Sequence, residues 1–158
     1  MPLRGALGGA LGTQGYWNVS SIVISTADGK HLEQFREWVE NEWGVVDSFE
    51  GKVGGVLVPA PIFAVEENVL AGGIGFTSAA KPQSVESVLW INVLLVAPKY
   101  RHMGIGSQLV QAAEEVACQL DVKEMYVYTH IPELYQKLDW VLINDIDESV
   151  VLKKCWGR

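Results

Sequence analysis

"INVLLVAPKYRHMGIGSQLVQAAEE", residues 91–115, is the stretch on which the fold turns. An apolar run gives way at Pro98 to a short loop holding Arg101, His102 and two glycines one residue apart, and the loop opens onto a helical pattern. The run reads as a strand. From Gly104 to Leu120 the residues Ile105, Leu109, Ala112, Ala113, Val116 and Leu120 share one helical face, with Gln108, Gln111, Glu114 and Glu115 on the polar side. A helix N-terminus leaves backbone N–H groups unpaired and carries partial positive charge. Glycine lets an anion approach those groups because no Cβ stands in the way. The loop is therefore either an anion cradle, with Arg101 adding a charge-assisted contact, or a tight cap with close packing. It is not a dinucleotide fingerprint, since Leu109 stands where a third glycine is needed, and it lacks the Gly-Lys-Ser/Thr ending of a phosphate loop.

Working outward, "NVSSIVIST" at 18–26 reads as a strand, stopped by Ala27, Asp28 and Gly29. From His31 to Trp43, Leu32, Phe35, Trp38, Val39 and Trp43 recur at spacings of three and four and predict an amphipathic helix. Residues 28 to 50 hold seven acids and two bases. That acidic face is either a solvated surface or an attractor for an amine. Residues 51–61, rich in Gly and Pro, read as a connection. "IFAVEEN", "VLAGGIGFTS" and "SVLWINVLLV" predict a meander with turns near Glu67-Asn68 and Lys81-Pro82. Beyond the second helix come a strand "EMYVYTH", a short helix "PELYQKL" opened by Pro132, and a closing hairpin of "WVLINDI" and "SVVLKKCW". The expected order is β, α, three strands, α, β, α, β, β.

Length, 158 residues, favours a single domain with a real core. A net charge of −7 without a basic cluster argues against nucleic acid as a partner. The longest apolar stretch, residues 87–97, is too short to span a bilayer, so no membrane partner is expected either. Cys118 and Cys155 lack CxxC spacing and read as free thiols in a reducing, cytoplasmic setting. His31, His102 and His130 lack ligand spacing, so no metal is expected.

The string at 91–115 resembles motif A of the GNAT superfamily of acyl-CoA-dependent N-acetyltransferases, Arg/Gln-x-x-Gly-x-Gly/Ala after a strand. "MYVYTHIPELYQKLDW" at 125–140 is similar to that family's motif B, a strand followed by a helix bearing Leu-Tyr-x-x-x-Gly-Phe. The likeness covers residues 87 to 143 well. It implies an α/β GNAT domain over 18–158, with a central, mostly antiparallel, mixed sheet flanked by helices. Residues 1–17 form a leader outside the resemblance.

The resemblance further implies acetyl-CoA as cosubstrate, its pyrophosphate on the backbone of Arg101, His102, Met103, Gly104, Ile105 and Gly106 with Ser107 adjacent. The pantetheine arm would pair with the main chain of Leu94, Leu95 and Val96, where the strand is expected to splay from its neighbour. Tyr135 takes the position of the family tyrosine that protonates the CoA thiolate, or else packs beneath the acyl group. Two departures stand out: His102 occupies a position where glycine is frequent, and Asp139 replaces the glycine of Gly-Phe.

The family's two strand positions for a carboxylate base fall at Trp90 and Tyr128, and neither is acidic. Asn92, on the face of Trp90 by period two, Glu86 and His130 are the substitutes. His130 has the most suitable unperturbed pKa; a water relay without a dedicated base serves equally. The expected activity is acetylation of a small-molecule primary amine by direct attack in a ternary complex, with a homodimer left open. The alternatives are an idle acyl-CoA-binding domain and a protein N-terminal or lysine acetyltransferase. Trp17, Trp38, Trp43 and Trp90 are candidates for lining the acceptor pocket or for packing the core.

Overall fold

A computed structural model describes residues 22–26, 29–43, 51–53, 55–146 and 149–156. The 1–17 leader, Trp17, residues 18–21 of the first expected strand, and Asp28, Asp47 and Glu50 of the acidic segment lie outside the described residues.

The chain runs β1 (Ile22–Thr26), α1 (Gly29–Trp43), β2 (Gly51–Val53), β3 (Val56–Val58), β4 (Ile62–Glu66), β5 (Val69–Ala80), β6 (Ser87–Val96), α2 (Ile105–Gln119), β7 (Glu124–Thr129), α3 (Pro132–Gln136), β8 (Val141–Ile146) and β9 (Ser149–Cys155). Among the described residues, seven strands form one sheet in the order β1-β4-β5-β6-β7-β9-β8. Every pairing in it is antiparallel except that of β6 with β7. That parallel step needs a crossover, and α2 supplies it. The mixed, mostly antiparallel sheet flanked by helices is the one expected.

The sequence reading needs correction at one connection. Residues 51–61 hold a small hairpin, β2 with β3, in which Val53 faces Val56 across a two-residue turn. Gly55 sits there at φ +82°, the left-handed region that such turns demand. β-branched residues on each side of a Gly-Gly pair make strands of what glycine content alone suggests is loop.

The helices cover opposite faces of the sheet. On neighbouring β5 residues, an added Cβ at Gly72 would meet Leu109 of α2, whereas one at Gly73 would meet Phe35 of α1. The larger core lies under α2, where Ile105, Leu109, Val110, Ala113 and Ala117 pack on Ile74, Leu89, Ile91, Met125 and Leu152. Each such side chain, fully buried, contributes about 1.5–3 kcal/mol if Leu- or Ile-sized. Under α1 the core is Phe35, Val39, Phe63, Leu70 and Val93. The α1 stripe is shifted from expectation: His31 is buried and Trp43 is exposed. On α2, Leu120 is exposed at the helix end, and Glu114 is largely buried rather than solvated. No helix among the described residues is long and apolar enough to cross a membrane.

Candidate active site

Strand β6 pairs with β7 only from Leu89 to Ile91, opposite Met125 to Val127. Its other edge continues on β5 as far as Val96, opposite Gly72. Past Ile91 the two central strands therefore part, as the resemblance led us to expect. A cavity of about 260 Å³ opens between them, lined by Ile91–Leu94 on one side, Val127–Ile131 on the other, and Tyr135 and Trp43.

The parting coincides with a bulge. Ile91 faces Phe76 and Val93 faces Gly75, so Asn92 is the extra residue on β6. Side-chain alternation slips there: Leu89 and Ile91 lie in the α2 core together with Leu94 and Val96, while Val93 and Leu95 lie under α1. Period two therefore breaks between Ile91 and Val93, across Asn92. Trp90 packs tilted on Tyr126 at 5.3 Å and donates its indole N–H to the Ala79 carbonyl at 3.2 Å. Asn92 is exposed and lines the gap.

The glycine loop leads from the end of β6 to the helix. Pro98–Tyr100 form one 3-10 turn, and Tyr100 is buried with its hydroxyl donating to Glu66 at 2.8 Å, which pins the loop to β4. The Arg101 Nε–H donates to the Val96 carbonyl at 2.9 Å. His102 adopts φ +66° and Gly104 φ +81°. A non-glycine residue in that region costs about 1–2 kcal/mol, so His102 keeps the backbone shape that glycine would take freely. Met103 is exposed, while Ile105 is buried and anchors the first turn in the core.

No side chain caps α2, and its first backbone bond within the helix is Gln108 N–H to the Gly104 carbonyl at 3.1 Å. The N–H groups of Ile105, Gly106 and Ser107 are thus the helix's open donors. A Cβ on Gly106 would meet Leu134 at 3.6 Å and Leu94 at 3.9 Å, ordinary contacts, so packing alone does not require glycine there. On the α1 face of the same loop lies a second cavity of about 280 Å³, lined by Trp38, Asn41, Glu42, Leu95, Val96, Ala97, Pro98 and Arg101.

Tyr135 is 2 % exposed. Its ring meets Trp140 edge to face at 5.3 Å and 70°, and no hydrogen bond of its hydroxyl is found among the described residues. Burial pushes its phenol well above the usual tyrosine range, so it keeps its proton at any working pH. Asp139 adopts φ +71°, so the turn survives without the expected glycine. Tyr128 and His130 are exposed and line the gap. Glu86 does not line it: it precedes Ser87 at the far end of β6 and pairs with Lys81 at 3.1 Å. Trp43 lines the gap and Trp38 the second cavity.

Sequence reasoning missed the polar cluster below Tyr135. Glu114 accepts from the Trp140 indole N–H at 2.8 Å and from the Lys154 ammonium at 3.0 Å. A glutamate on a polar helix face and a lysine 40 positions away give no signal of their meeting, which follows only from the way α2 and β9 both come up against the α3 segment.

Solved structures of the same fold are numerous. Arabidopsis thaliana NAA60 in complex with acetyl-CoA superposes with a TM-score of 0.66 at 12% identity, over 85% of this chain and 98% of that one. Arabidopsis thaliana Naa50 with the bisubstrate analogue CoA-Ac-MVNAL gives 0.61 at 17% identity, over 86% and 99%. An aminoglycoside 6'-acetyltransferase type Ii gives 0.63 at 19% identity, over 86% and 99%. No curated protein matches the sequence. The sequence model of the acetyltransferase (GNAT) family matches residues 27–140, well over half of the chain and the whole of the parted-strand region and glycine loop. With the parted central strands, the uncapped glycine helix and the tyrosine beside the gap already in place, that match makes the chain a member of the acetyltransferase (GNAT) family.

Proposed function

We propose that this protein is an N-acetyltransferase that moves an acetyl group from acetyl-CoA to a primary amine by direct attack in a ternary complex. The observation that supports this most is the gap itself, walled by the free edge of β6 beyond Ile91 and lined by Tyr135, with the open N–H end of α2 beside it, where Gly106 stands next to Leu94 of the gap wall. The relatives solved with acetyl-CoA or CoA bound share this fold.

In this reading the diphosphate sits on the three open N–H groups, with Arg101, His102 and Met103 shaping the loop and Gly104 turning it. The amides of the pantetheine arm pair with the backbone of Leu94, Leu95 and Val96 as an added strand. The thioester then lies in the gap. The neutral amine nitrogen attacks its carbonyl carbon, the C–S bond breaks, and the departing sulfur takes the proton of the Tyr135 hydroxyl, whose high-pKa phenolate takes a proton back from water before the next turnover. The proton lost by the amine leaves through water at the exposed rim, where His130 is the titratable group able to receive it. Among the described residues no carboxylate lines the gap, so an alkylamine near pKa ~10 reacts through its small neutral fraction, which grows with pH.

Related folds act on an aminoglycoside in one case and were solved with a peptide-derived bisubstrate analogue in another. The test is a CoA-release assay against polyamines, aminoglycosides, amino acids and short peptides, with acetyl-CoA varied at several acceptor concentrations. Saturable release with intersecting double-reciprocal lines supports direct attack. Parallel lines point to a covalent acetyl-enzyme instead. Tight acetyl-CoA binding with no release for any acceptor class overturns the enzyme reading in favour of an idle acyl-CoA-binding domain.

A further inference from the structure

The element that carries Tyr135 is too small to hold itself. Helix α3 spans five residues, and helices that short have no stability of their own. Residues 137–140, directly after it, turn through Asp139 at φ +71° and deliver Trp140 under the Tyr135 ring. Three polar contacts meet at that point. The Trp140 indole N–H donates to Glu114 Oε2 at 2.8 Å. The Lys154 ammonium donates to Glu114 Oε1 at 3.0 Å and to the Leu138 carbonyl at 2.7 Å. The Lys154 and Glu114 side chains are only 20% and 14% exposed, and Trp140 only 3%.

Each partner belongs to a different part of the site. Glu114 lies on α2, whose first turn is the glycine cradle; Lys154 lies on β9, the neighbour of β7 along the wall of the gap; Leu138 and Trp140 end the α3 segment. An ion pair this buried adds little net stability over apolar packing of the same shape, because desolvation offsets most of the attraction. What it adds is direction, since hydrogen bonds of 2.7 to 3.0 Å fix relative orientation where apolar contacts allow sliding.

We infer that Glu114, Lys154 and Trp140 form a positioning network that holds the Tyr135 hydroxyl at the gap in fixed relation to the α2 cradle. This rests on the reading of Tyr135 as the proton donor. A donor displaced by about 1 Å can lose up to 10²-fold in rate, so loosening the network acts on turnover. Cofactor affinity, set at the other end of α2, stays where it is.

The test compares Trp140→Phe, which keeps a ring against Tyr135 and deletes one N–H, with Lys154→Met, which keeps the stem and deletes both of its hydrogen bonds, each alone and in a Tyr135→Phe background. In the wild-type background kcat should fall roughly tenfold, with the KM for acetyl-CoA within about twofold of wild type, and Lys154→Arg should recover most of the loss. In the Tyr135→Phe background neither change should lower kcat further. Loss by the same factor in both backgrounds, unchanged kcat in the first, or a raised acetyl-CoA KM at normal kcat each overturn the inference. Near-normal kcat in Tyr135→Phe alone removes the proton-donor reading and the inference with it; a low value there, with additive network variants, removes only the inference. Should Trp140→Phe not unfold cooperatively, Lys154→Met, on a partly exposed strand residue, decides the matter.

Discussion

Replacing Tyr135 by phenylalanine separates chemistry from packing more cleanly than any other change in this protein. The ring keeps its edge-to-face contact with Trp140 at 5.3 Å, and the lost hydroxyl has no hydrogen bond to forfeit among the described residues. Stability should therefore change by less than about 1 kcal/mol. Turnover should not be spared: removing a positioned proton donor costs on the order of 10² in kcat, about 2.7 kcal/mol of barrier.

A second readout comes from pH. Burial raises the folded-state pKa of Tyr135 above the unfolded value of about 10. The contribution to stability is then fully present below about pH 10 and is lost as pH rises towards the folded value, because the unfolded chain releases the proton first. The slope reaches at most about 1.4 kcal/mol per pH unit. Tyr126, pushed up to about 12 by burial and its bond to Glu124, and Tyr100, raised by its bond to Glu66, leave a slope of the same sign in the variant. Urea unfolding of both proteins at pH 8 and at pH 11 should show a smaller drop for Tyr135→Phe. Steady-state CoA release at saturating acetyl-CoA gives kcat. A kcat within threefold of wild type, where chemistry limits the rate, refutes the proton-donor role, and identical pH slopes refute the burial argument.

Other perturbations test the loop and the core. Gly106→Ala should bind acetyl-CoA nearly normally, since its Cβ meets Leu134 at an ordinary 3.6 Å. Gly106→Asp should fold, its carboxylate favoured at a helix start, yet weaken acetyl-CoA on the order of 10² by opposing the phosphates with like charge; calorimetry distinguishes the two, and equal affinities sink the cradle. Gly73→Ala should destabilise by about 1–3 kcal/mol, because its Cβ would stand 2.6 Å from the buried Phe35 ring; an unchanged melting temperature contradicts that packing. Asp139→Gly should raise the melting temperature by roughly 1–3 °C through relief of its left-handed backbone at φ +71°, and a lowered one would show that the aspartate side chain itself supports the turn.

Much of this protein can be read in the residues themselves. Periodicity placed β4 through β9 and the two long helices, because a strand or helix with one buried face must repeat its apolar residues at that element's own spacing. The glycine loop was legible because Gly104, at φ +81°, meets a backbone demand that is local. Where glycines flank short β-branched runs, at β2 and β3, local composition misled, since pairing partners and not propensity decide such strands. Tertiary structure alone decided the rest. The bulge at Asn92 reverses side-chain parity because β5 skips a partner there, and no spacing within β6 announces it. Glu86 and Asn92 look alike as candidates along one segment, yet only Asn92 reaches the gap, because the gap opens beyond Ile91, at the opposite end of β6 from Glu86. Glu114, Lys154 and Trp140 come from three separate segments, and only the convergence of α2 and β9 on the α3 segment brings a surface-patterned glutamate into a largely buried ion pair beside Trp140. Local rules govern what a residue does to its own backbone; which side chains share a site depends on contacts between segments far apart in the chain, which the order of residues does not display.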